Sequence, residues 1–359
     1  MDNLPSAWLR EKMEPPAISV LICVFNGERF LRETLESVLS QDLEQMEVVV
    51  VDDGSTDRTC DILAEFAAAD GRIRIHRQDN QGLVGARNKG LTLCRSEFLA
   101  IIDADDLALP GRFKAQLEYL KSHGDVSAVS SAIQLIDPEG KILEVRRFPT
   151  GPDEVAHAME ISCASCSGAA MFRLSHMREV GEYRVAYGYA EDYDFWLRLS
   201  ERFKIDNLPR VFTAYRIHEN SITKKNSARQ TLCALTARLA YQRRKAGRPD
   251  LFPQLTRPVT LSDIDILSLS ESERADFIVL RFFFIFDGFD RQALPGLGLL
   301  LREAWTLRKH VHRGRLVRHG FIPAGKTLWR HGQKIEGLSW ILRGFSRDPV
   351  SAIWGVLFK

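Results

Sequence analysis

The run ISVLICVF, residues 18–25, is apolar at nearly every position and rich in β-branched side chains. A continuous run of this kind is typical of a strand that is covered on both faces. MEVVVVD (46–52) and EFLAIID (97–103) repeat it, and segments with a helical spacing of apolar residues, such as 28–40, lie between these runs. The alternation predicts an α/β fold with an open, mostly parallel, Rossmann-like central sheet and helices on both faces.

The alternation weakens after residue 125. DVSAVSSAIQLI (125–136) and KILEVRRF (141–148) predict a hairpin, and further strands are expected over 168–173 and 211–217. A helix is expected between those two strands, over about 191–202. Farther along the chain the β-rich runs stop, and we expect helices in an arginine-rich background.

Charge is distributed unevenly along the 359 residues, whose formal net charge is +2. Residues 1–224 carry 26 basic and 36 acidic side chains, a net of −10, and residues 225–359 carry 23 and 11, a net of +12. The acidic part fits a site that holds cations, and the basic part fits an anionic partner or surface. We therefore expect an N-terminal tail (1–16), an α/β domain (17–225) and a helical, basic C-terminal region (226–359).

The six cysteines are scattered, and the first residues lack the uninterrupted apolar segment of a secretory signal. A cytoplasmic protein with free thiols is therefore expected. Cys163 and Cys166 have C-x-x-C spacing, but no second pair or histidine cluster completes a zinc site. The most apolar segment, 277–286, is shorter than the roughly 18 to 20 residues that a membrane span needs, and Arg281 interrupts it.

Polar residues follow three of the predicted strands where each strand ends: FNG at 25–27, DDGSTD at 52–57 and DADD at 103–106. The carboxyl ends of parallel strands share one edge of a sheet, and open α/β sheets bind their ligands there. Turn chemistry explains Asn26-Gly27 alone equally well. Two acidic clusters at one edge favour a binding site instead.

Carboxylates that converge without a basic partner favour Mg²⁺ or Mn²⁺, which commonly link them to substrate phosphates. The chain has no G-x-x-x-x-G-K-[ST] loop and no G-x-G-x-x-G after its first strand. QGLVGARN (81–88) fits either a nearby diphosphate or an ordinary helix start. The acidic segment YAEDYDFW (189–196) either stabilises a helix N-terminus or supplies a general base toward an acceptor hydroxyl.

Taken together, these motifs resemble those of family 2 glycosyltransferases, in order and at the expected distances over roughly 17–225. The resemblance is carried by ISVLICVFNGERF, VVVVDDGSTDRT, NQGLVGARNKGL, FLAIIDADD, SGAAMFR, and AEDYDFWLRL followed by YRIHENSIT. It implies a GT-A fold and transfer of a sugar, with inversion, from a nucleotide-sugar donor, for which a UDP-sugar is expected. It also implies a glycan or lipid-linked acceptor, as in the synthesis of cell-surface polysaccharides or glycolipids.

The resemblance assigns five donor-binding positions. Phe25 and Asn26 would lie near the donor base, with Asp53 hydrogen-bonded to that base. Arg87 would be a polar contact on the donor side, and Asp103 would face the ribose.

The resemblance also assigns the metal and acceptor positions. Asp105, the last acid of the D-x-D motif, would bind Mn²⁺ or Mg²⁺, with His218 as a second ligand or merely a loop histidine. Asp192 would be the catalytic base, and Glu191 its neighbour at the acceptor face. Trp196 would line the acceptor pocket or pack in the core. The extra acid Asp106 would only cap its loop.

The C-terminal residues 291–359 carry 13 basic and three acidic side chains and four tryptophans. Such a segment fits the surface of an anionic membrane, so the protein would lie peripherally at the inner face of the plasma membrane. The alternative is a helical bundle with a solvated arginine face. No motif supports binding of nucleic acid.

Two other classes of function compete with a metal-dependent glycosyltransferase. One is a non-catalytic nucleotide-sugar binding protein on the same fold, for which a substitution at Asp105 or Asp192 would be expected; neither occurs. The other is a phospho-receiver-like module, which would leave the segments around 191 and 216 without a role.

Overall fold

The computed structural model describes residues 15–219 and 227–265, together with Leu269 and Phe277. The chain separates into two compact units, Met1–Lys224 and Lys225–Lys359. The predicted helical, basic region over 226–359 lies largely outside the described residues and stays a prediction, as does the tail over 1–16.

Over its described residues, 15–219, the first unit contains one mixed sheet with seven α-helices around it. In the described residues its strands are β1 (Ile18–Val24), β2 (Met46–Asp52), β3 (Ile73–Arg77), β4 (Phe98–Ile101), β5 (Leu107–Ala108), β6 (Val126–Ile136), β7 (Ile142–Arg146), β8 (Met171–Arg173) and β9 (Lys204–Arg216). Its helices are α1 (Leu31–Leu39), α2 (Thr59–Ala69), α3 (Gly82–Leu93), α4 (Arg112–Ser122), α5 (Pro152–Met159), α6 (Leu174–Val180) and α7 (Glu191–Ser200).

The strand order is β3-β2-β1-β4-β8-β6-β9-β5, and β7 pairs with β6. The pairs of β1 with β2 and β4, and of β2 with β3, are parallel, as the sequence predicted. The later strands add antiparallel pairs, because β8 joins β4 to β6, β5 joins β9, and β7 forms the predicted hairpin with β6. Only β6 and β9 are parallel in that part.

Helices cover both faces of the parallel part. On one face, Val20 and Ile22 of β1 belong to a buried core that residues of α1, α2 and α4 complete. On the other face, α3 packs against β1 and β2. Gly90 of α3 permits this contact, because an added Cβ would lie 2.3 Å from a methyl group of Leu21. The apolar runs of β1 and β2 follow from this burial on both sides.

The second unit contains α8 (Ser227–Lys245) and α9 (Leu261–Asp265) among the described residues. The apolar segment 277–286 lies outside the described residues except for Phe277, and the basic segment 291–359 lies outside them entirely. In the portions of the chain that the structure describes, no helix is long and apolar enough to span a membrane.

Candidate active site

The strand register brings the predicted polar segments to one edge of the sheet. Val24 pairs with Asp52 at the ends of β1 and β2, and Leu21 pairs with Ile101 near the end of β4. The loops that follow these three strands therefore leave the sheet side by side, at the carboxyl edge where α/β sheets bind ligands.

Asn26 joins the loops after β1 and β2. Its φ of 52° is a left-handed conformation that asparagine adopts more readily than most residues. Its N–H donates to Ser55 Oγ (2.9 Å), and its Oδ1 accepts from the N–H of Thr56 (2.8 Å). The neighbouring Phe25 side chain is 52% exposed, so its ring is accessible to a ligand. Contacts of Phe25 and Asn26 with a donor stay predictions.

Asp53 lies buried at the end of β2. Its Oδ1 accepts hydrogen bonds from Gln78 Nε2 (2.8 Å) and from the N–H of Gln81 (2.9 Å). These bonds fix the carboxylate against the loop that leads into α3. The position at the sheet edge suits the predicted contact with a donor base, which stays a prediction.

The D-x-D segment presents two partly exposed carboxylates, each with a cationic or imidazole partner. Asp103 Oδ1 accepts from Arg87 Nη2 (3.2 Å), and Asp105 Oδ2 lies 2.8 Å from His218 Nε2. Both aspartate side chains are 33% exposed. Burial and the charge of Asp103 raise the pKa of Asp105, while His218 offsets part of that rise. The structure thus brings together the two predicted metal ligands.

Asp106 is built differently from its two acidic neighbours. It is buried, its Oδ1 accepts from the N–H of Arg216 (2.9 Å), and its Oδ2 has no hydrogen-bond partner among the described residues. Burial, with the charges of Asp105 and Asp103, raises its pKa well above the usual range. Asp106 therefore ties the loop to β9, beyond the expected role of a local cap.

Gly168, in the segment SGAAMFR, was not assigned a role from the sequence. A Cβ at this position would lie 3.0 Å from Asp103 Oδ2 and 3.4 Å from Asp106 Oδ2. A methyl group here would therefore crowd the Asp103 carboxylate, whereas its contact with Asp106 would be close to an ordinary one. The small-residue run around it was the only sequence signal for this close approach.

Arg87 connects the D-x-D segment to α7. Its Nη1 donates to Glu191 Oε1 (2.7 Å), its Nη2 reaches Asp103, and its guanidinium lies over the ring of Tyr183. Burial by itself would lower the pKa of Arg87, but Glu191 and Asp103 more than offset this and raise it. Arg87 is buried, so its predicted contact with the donor stays a prediction, and its observed partners are two carboxylates.

The first turn of α7 holds the predicted catalytic base. Burial raises the pKa of Asp192, and the charge of Arg87 offsets part of this rise. For Glu191, burial raises the pKa to about 7 even though Arg87 opposes it. Asp192 Oδ1 accepts from the N–H of Tyr193 (2.7 Å), which fixes its direction at the start of the helix. Carboxylates with raised pKa values suit general base catalysis.

Asp194, two residues after Asp192, stabilises the structure through buried ion pairs. It is fully buried and paired with both Arg184 and Arg198. Arg198 in turn donates to the carbonyl oxygens of Val180 and Glu182. This network fixes α7 against the segment that precedes it. From the sequence, the spacing alone could not distinguish the structural Asp194 from the predicted base Asp192.

Trp196 does not line an acceptor pocket, which corrects one of the two readings that the sequence left open. Its side chain is 0% exposed, and its ring stacks on Phe172 of β8 with centroids 4.8 Å apart. Trp196 lies one turn after the acids of α7, on the side of the helix that faces the sheet. It therefore belongs to the core.

The side chains present fit a divalent cation that also binds a substrate. Among the described residues no group of three or more metal-ligating side chains occurs, so the protein would contribute only the predicted pair, Asp105 and His218, which contact each other here. Two ligands at right angles and about 2.1 Å from one cation lie about 3.0 Å apart, close to the observed 2.8 Å. Carboxylate oxygen and imidazole nitrogen both suit Mn²⁺, whose remaining positions substrate phosphates can fill.

The C-x-x-C segment does not form a zinc site in the described residues. Both cysteines are free thiols, and burial raises the pKa of Cys166 to about 12 and that of Cys163 well above its usual range. Cys163 Sγ donates to the carbonyl oxygen of Ser165 (3.2 Å).

Comparisons with known proteins define the class. The family model for glycosyl transferase family 2 matches residues 19–181. EpsE of Bacillus subtilis (strain 168), a protein named as a glycosyltransferase, is 32% identical over 211 residues, which are 57% of this chain and 74% of EpsE. The amylovoran biosynthesis glycosyltransferase AmsE of Erwinia amylovora is 30% identical over 211 residues, 58% of this chain and 79% of AmsE.

The chain therefore belongs to glycosyl transferase family 2, and it is a glycosyltransferase. Among solved structures, S. aureus TarS 1–349 in complex with UDP-GlcNAc superposes with a TM-score of 0.57 and 16% identity, over 92% of each chain. At that identity the likeness shows the fold alone, and it confirms the predicted GT-A type of α/β fold.

Proposed function

We propose that the protein is an inverting, metal-dependent glycosyltransferase that moves a sugar from a nucleoside diphosphate sugar to an acceptor hydroxyl. The observation that carries the proposal is the Asp103–Arg87–Glu191 bridge. It holds the D-x-D segment, where a donor diphosphate would lie, next to the first turn of α7, where the predicted base Asp192 lies. Donor chemistry and proton transfer are thus supported by one connected set of side chains.

Asp192 is the base in this mechanism. Its carboxylate takes the proton of the acceptor hydroxyl while the hydroxyl oxygen forms a bond to the anomeric carbon. The bond from that carbon to the diphosphate oxygen breaks on the opposite face, so the configuration inverts. The nucleoside diphosphate leaves with the bonding electron pair.

The donor end is held by the loops of the sheet edge. Phe25, Asn26 and Asp53 would contact the base, and Asp103 the ribose. Asp105 and His218 would hold Mn²⁺ or Mg²⁺, whose positive charge stabilises the departing diphosphate when it is bound. Arg87 would hold Asp103 in place, because its buried Nη2 donates to Asp103 Oδ1 (3.2 Å).

We infer that the donor is a UDP-sugar and that the product is a cell-surface polysaccharide or related glycan. The structurally similar TarS chain was solved with UDP-GlcNAc and with UDP. AmsE is named for amylovoran biosynthesis, and chondroitin synthase of Escherichia coli is 28% identical over 213 residues. A lipid-linked form of the acceptor would place the enzyme at a membrane surface.

A screen of nucleoside diphosphate sugars with Mn²⁺, read as nucleotide release, tests the proposal. One donor is expected to turn over saturably, and Asp105→Ala and Asp192→Asn should each reduce the rate by about 10²- to 10⁴-fold. Asp192→Asn should leave donor binding intact, whereas Asp105→Ala should weaken it in the presence of Mn²⁺.

Asp61→Asn, which alters an exposed aspartate of α2, is the matched control and should retain full activity. Equal turnover in the wild-type protein and in both site variants would refute the mechanism. Retention of the anomeric configuration in the product, read by NMR, would refute inversion alone.

A further inference from the structure

Arg216, at the end of β9, makes four separate polar contacts with residues at and around the D-x-D segment. Its N–H donates to Asp106 Oδ1 (2.9 Å), and its Nε donates to the carbonyl oxygen of Asp105 (2.9 Å). Its Nη1 donates to the carbonyl oxygen of Pro138 (2.8 Å), and its Nη2 to Glu33 Oε2 (2.7 Å). The Arg216 side chain is 1% exposed, whereas that of its partner Glu33 is 54% exposed, so the bond to Glu33 lies at the surface of a buried guanidinium.

These contacts connect three separate parts of the first unit. Glu33 belongs to the first turn of α1, Pro138 to the turn of the β6–β7 hairpin, and Asp105 to the D-x-D segment. The side chain of Arg216 by itself bonds to each of these three parts. Arg216 therefore sets where the backbone of Asp105 lies relative to the rest of the sheet edge.

The same arginine also supports the second predicted metal ligand. The Arg216 guanidinium lies 4.5 Å from the centroid of the Phe30 ring. The centroid of the His218 ring lies 5.1 Å from the same point. Phe30 is buried and immediately precedes α1. His218 follows Arg216 by two residues, so the backbone and the Phe30 ring both transmit the position of Arg216 to the imidazole.

We propose that Arg216 is a positioning residue for the metal site: with Glu33 and Phe30 it holds Asp105 and His218 at the separation that a divalent cation requires. This inference rests on the proposed function, because it presumes that the Asp105–His218 pair binds metal. In this proposal Arg216 acts through Asp105 and His218, without binding the metal or the donor itself. Residues that orient metal ligands typically change metal affinity by about 10- to 100-fold when they are replaced.

An arginine is needed at this position because its bonds diverge. One planar guanidinium reaches a backbone carbonyl through Nε and two further acceptors through its terminal nitrogens. A lysine would keep the charge opposite Glu33 but place a single ammonium where three acceptors now lie apart. The backbone N–H to Asp106 survives any substitution, so a variant isolates the contribution of the side chain.

Direct titration of the full-length protein with Mn²⁺ in the presence of UDP, by calorimetry, tests the inference. Arg216→Lys is expected to weaken Mn²⁺ binding by about 10- to 100-fold. The Mn²⁺ concentration that gives half-maximal activity should rise by the same factor, with a much smaller change in kcat at saturating Mn²⁺. Glu33→Gln, which leaves every other bond of Arg216 in place, should weaken Mn²⁺ binding by at least about threefold.

Two matched substitutions control for loss of an arginine or of an ion pair. Arg72→Lys alters a partly buried arginine that bonds Asp70 and the carbonyl oxygen of Leu39, far from the D-x-D segment. Glu65→Gln breaks the exposed pair with Arg32. Both should bind Mn²⁺ like the wild-type protein.

The outcomes separate this inference from the proposed function. If Arg216→Lys folds and both it and Glu33→Gln bind Mn²⁺ with the affinity of the wild-type protein, the inference alone is overturned. If Arg216→Lys does not fold, the Mn²⁺ affinity of Glu33→Gln decides. Absence of Mn²⁺ binding in the wild-type protein, or binding that survives Asp105→Ala, would overturn both the inference and the metal-dependent mechanism.

Discussion

Two aspartates of α7, two positions apart, have opposite tasks. Asp192 lies at the start of the helix with a raised pKa, which suits a base, whereas Asp194 is fully buried between Arg184 and Arg198. A buried ion pair that loses one partner leaves an uncompensated charge, which costs much more than the pair itself contributes. The same substitution at these two positions should therefore affect different properties.

Asp194→Asn is expected to lower the free energy of unfolding by about 3–5 kcal/mol, because two mostly buried guanidinium groups lose their shared carboxylate. Asp192→Asn should change stability by less than about 1 kcal/mol, since it removes a charge whose burial is unfavourable. Urea unfolding followed by circular dichroism measures both. Equal losses in the two variants would contradict this division.

Gly168→Ala should impair the donor site without a large loss of stability. The new Cβ would meet the oxygens of Asp103 and Asp106 at 3.0 and 3.4 Å and push at least one carboxylate aside. We expect KM for the donor to rise by about tenfold, equivalent to ~1.4 kcal/mol. Gly71→Ala is the control, because nothing lies within 4 Å of its added Cβ. An unchanged KM in Gly168→Ala would show that the carboxylates accommodate the methyl group.

The sequence placed most of the candidate site residues at the sheet edge but did not identify their partners. Asp53, Asp103 and Asp105 could be placed at the sheet edge because acids after apolar strands mark that edge. The Arg87–Glu191 pair joins residues 104 positions apart, and no local pattern specifies such a contact. Trp196 was ambiguous for a different reason, since one amphipathic helix offers the same spacing to a pocket and to a core.

At the scale of elements, the site depends on how α3 and α7 approach the end of β4. Arg87 of α3 lies between Asp103, just beyond β4, and Glu191 of α7. The charge of Arg87 lowers the pKa of Glu191 and of Asp192, against the effect of burial, which raises both. The ionisation of the base is therefore set jointly by two helices and one strand.

This arrangement predicts the acid side of the pH–rate profile. A base must be ionised, and burial raises the pKa of Asp192, so kcat/KM should fall with decreasing pH at a higher pH than a solvent-exposed aspartate would give. Arg87→Gln removes a charge that lowers this pKa, so the acid limb should move to still higher pH. Arg32→Gln, an exposed arginine paired with Glu65, is the control. A limb that does not move in Arg87→Gln would exclude Asp192 as the titrating base.

The parallel part of the fold was readable from the sequence, and the remainder only in outline. Strands buried on both faces produce long apolar runs, as β1 and β2 do. β8 has three residues and β5 has two, which are too short for a periodic signal. Their antiparallel pairing depends on tertiary contacts and emerged only from the structure, whereas the antiparallel β6–β7 hairpin was predicted from the sequence.

At the scale of the whole molecule, the two units carry net charges of opposite sign. Residues 1–224 carry a net of −10 and residues 225–359 a net of +12. Opposite charge on consecutive units gives the chain an acidic part that suits cations and a basic part that suits anionic surfaces.

The basic segment 291–359 is expected to bind anionic membranes, at roughly 1 kcal/mol for each basic residue near the surface. The full-length protein should sediment with vesicles that contain phosphatidylglycerol and should be released by high salt, whereas residues 1–290 should remain in the supernatant. Vesicles of phosphatidylcholine alone are the control. Full-length protein that stays soluble with anionic vesicles would favour the helical bundle instead.

The pairing of β9 with β6 and β5 has a consequence for the order in which the protein folds. Asp105 and His218 are 113 positions apart, and β9 brings them together through strands made much earlier. Contacts between distant parts of a chain form slowly, and chains fold from the N-terminus during synthesis. A nascent chain that ends before β9 can thus assemble β1 to β4 and the loops that follow them. Such a chain still lacks His218. Among the described strands β9 is the last in the chain, so Asp105 meets its predicted metal-binding partner, His218, only after β9 has been made.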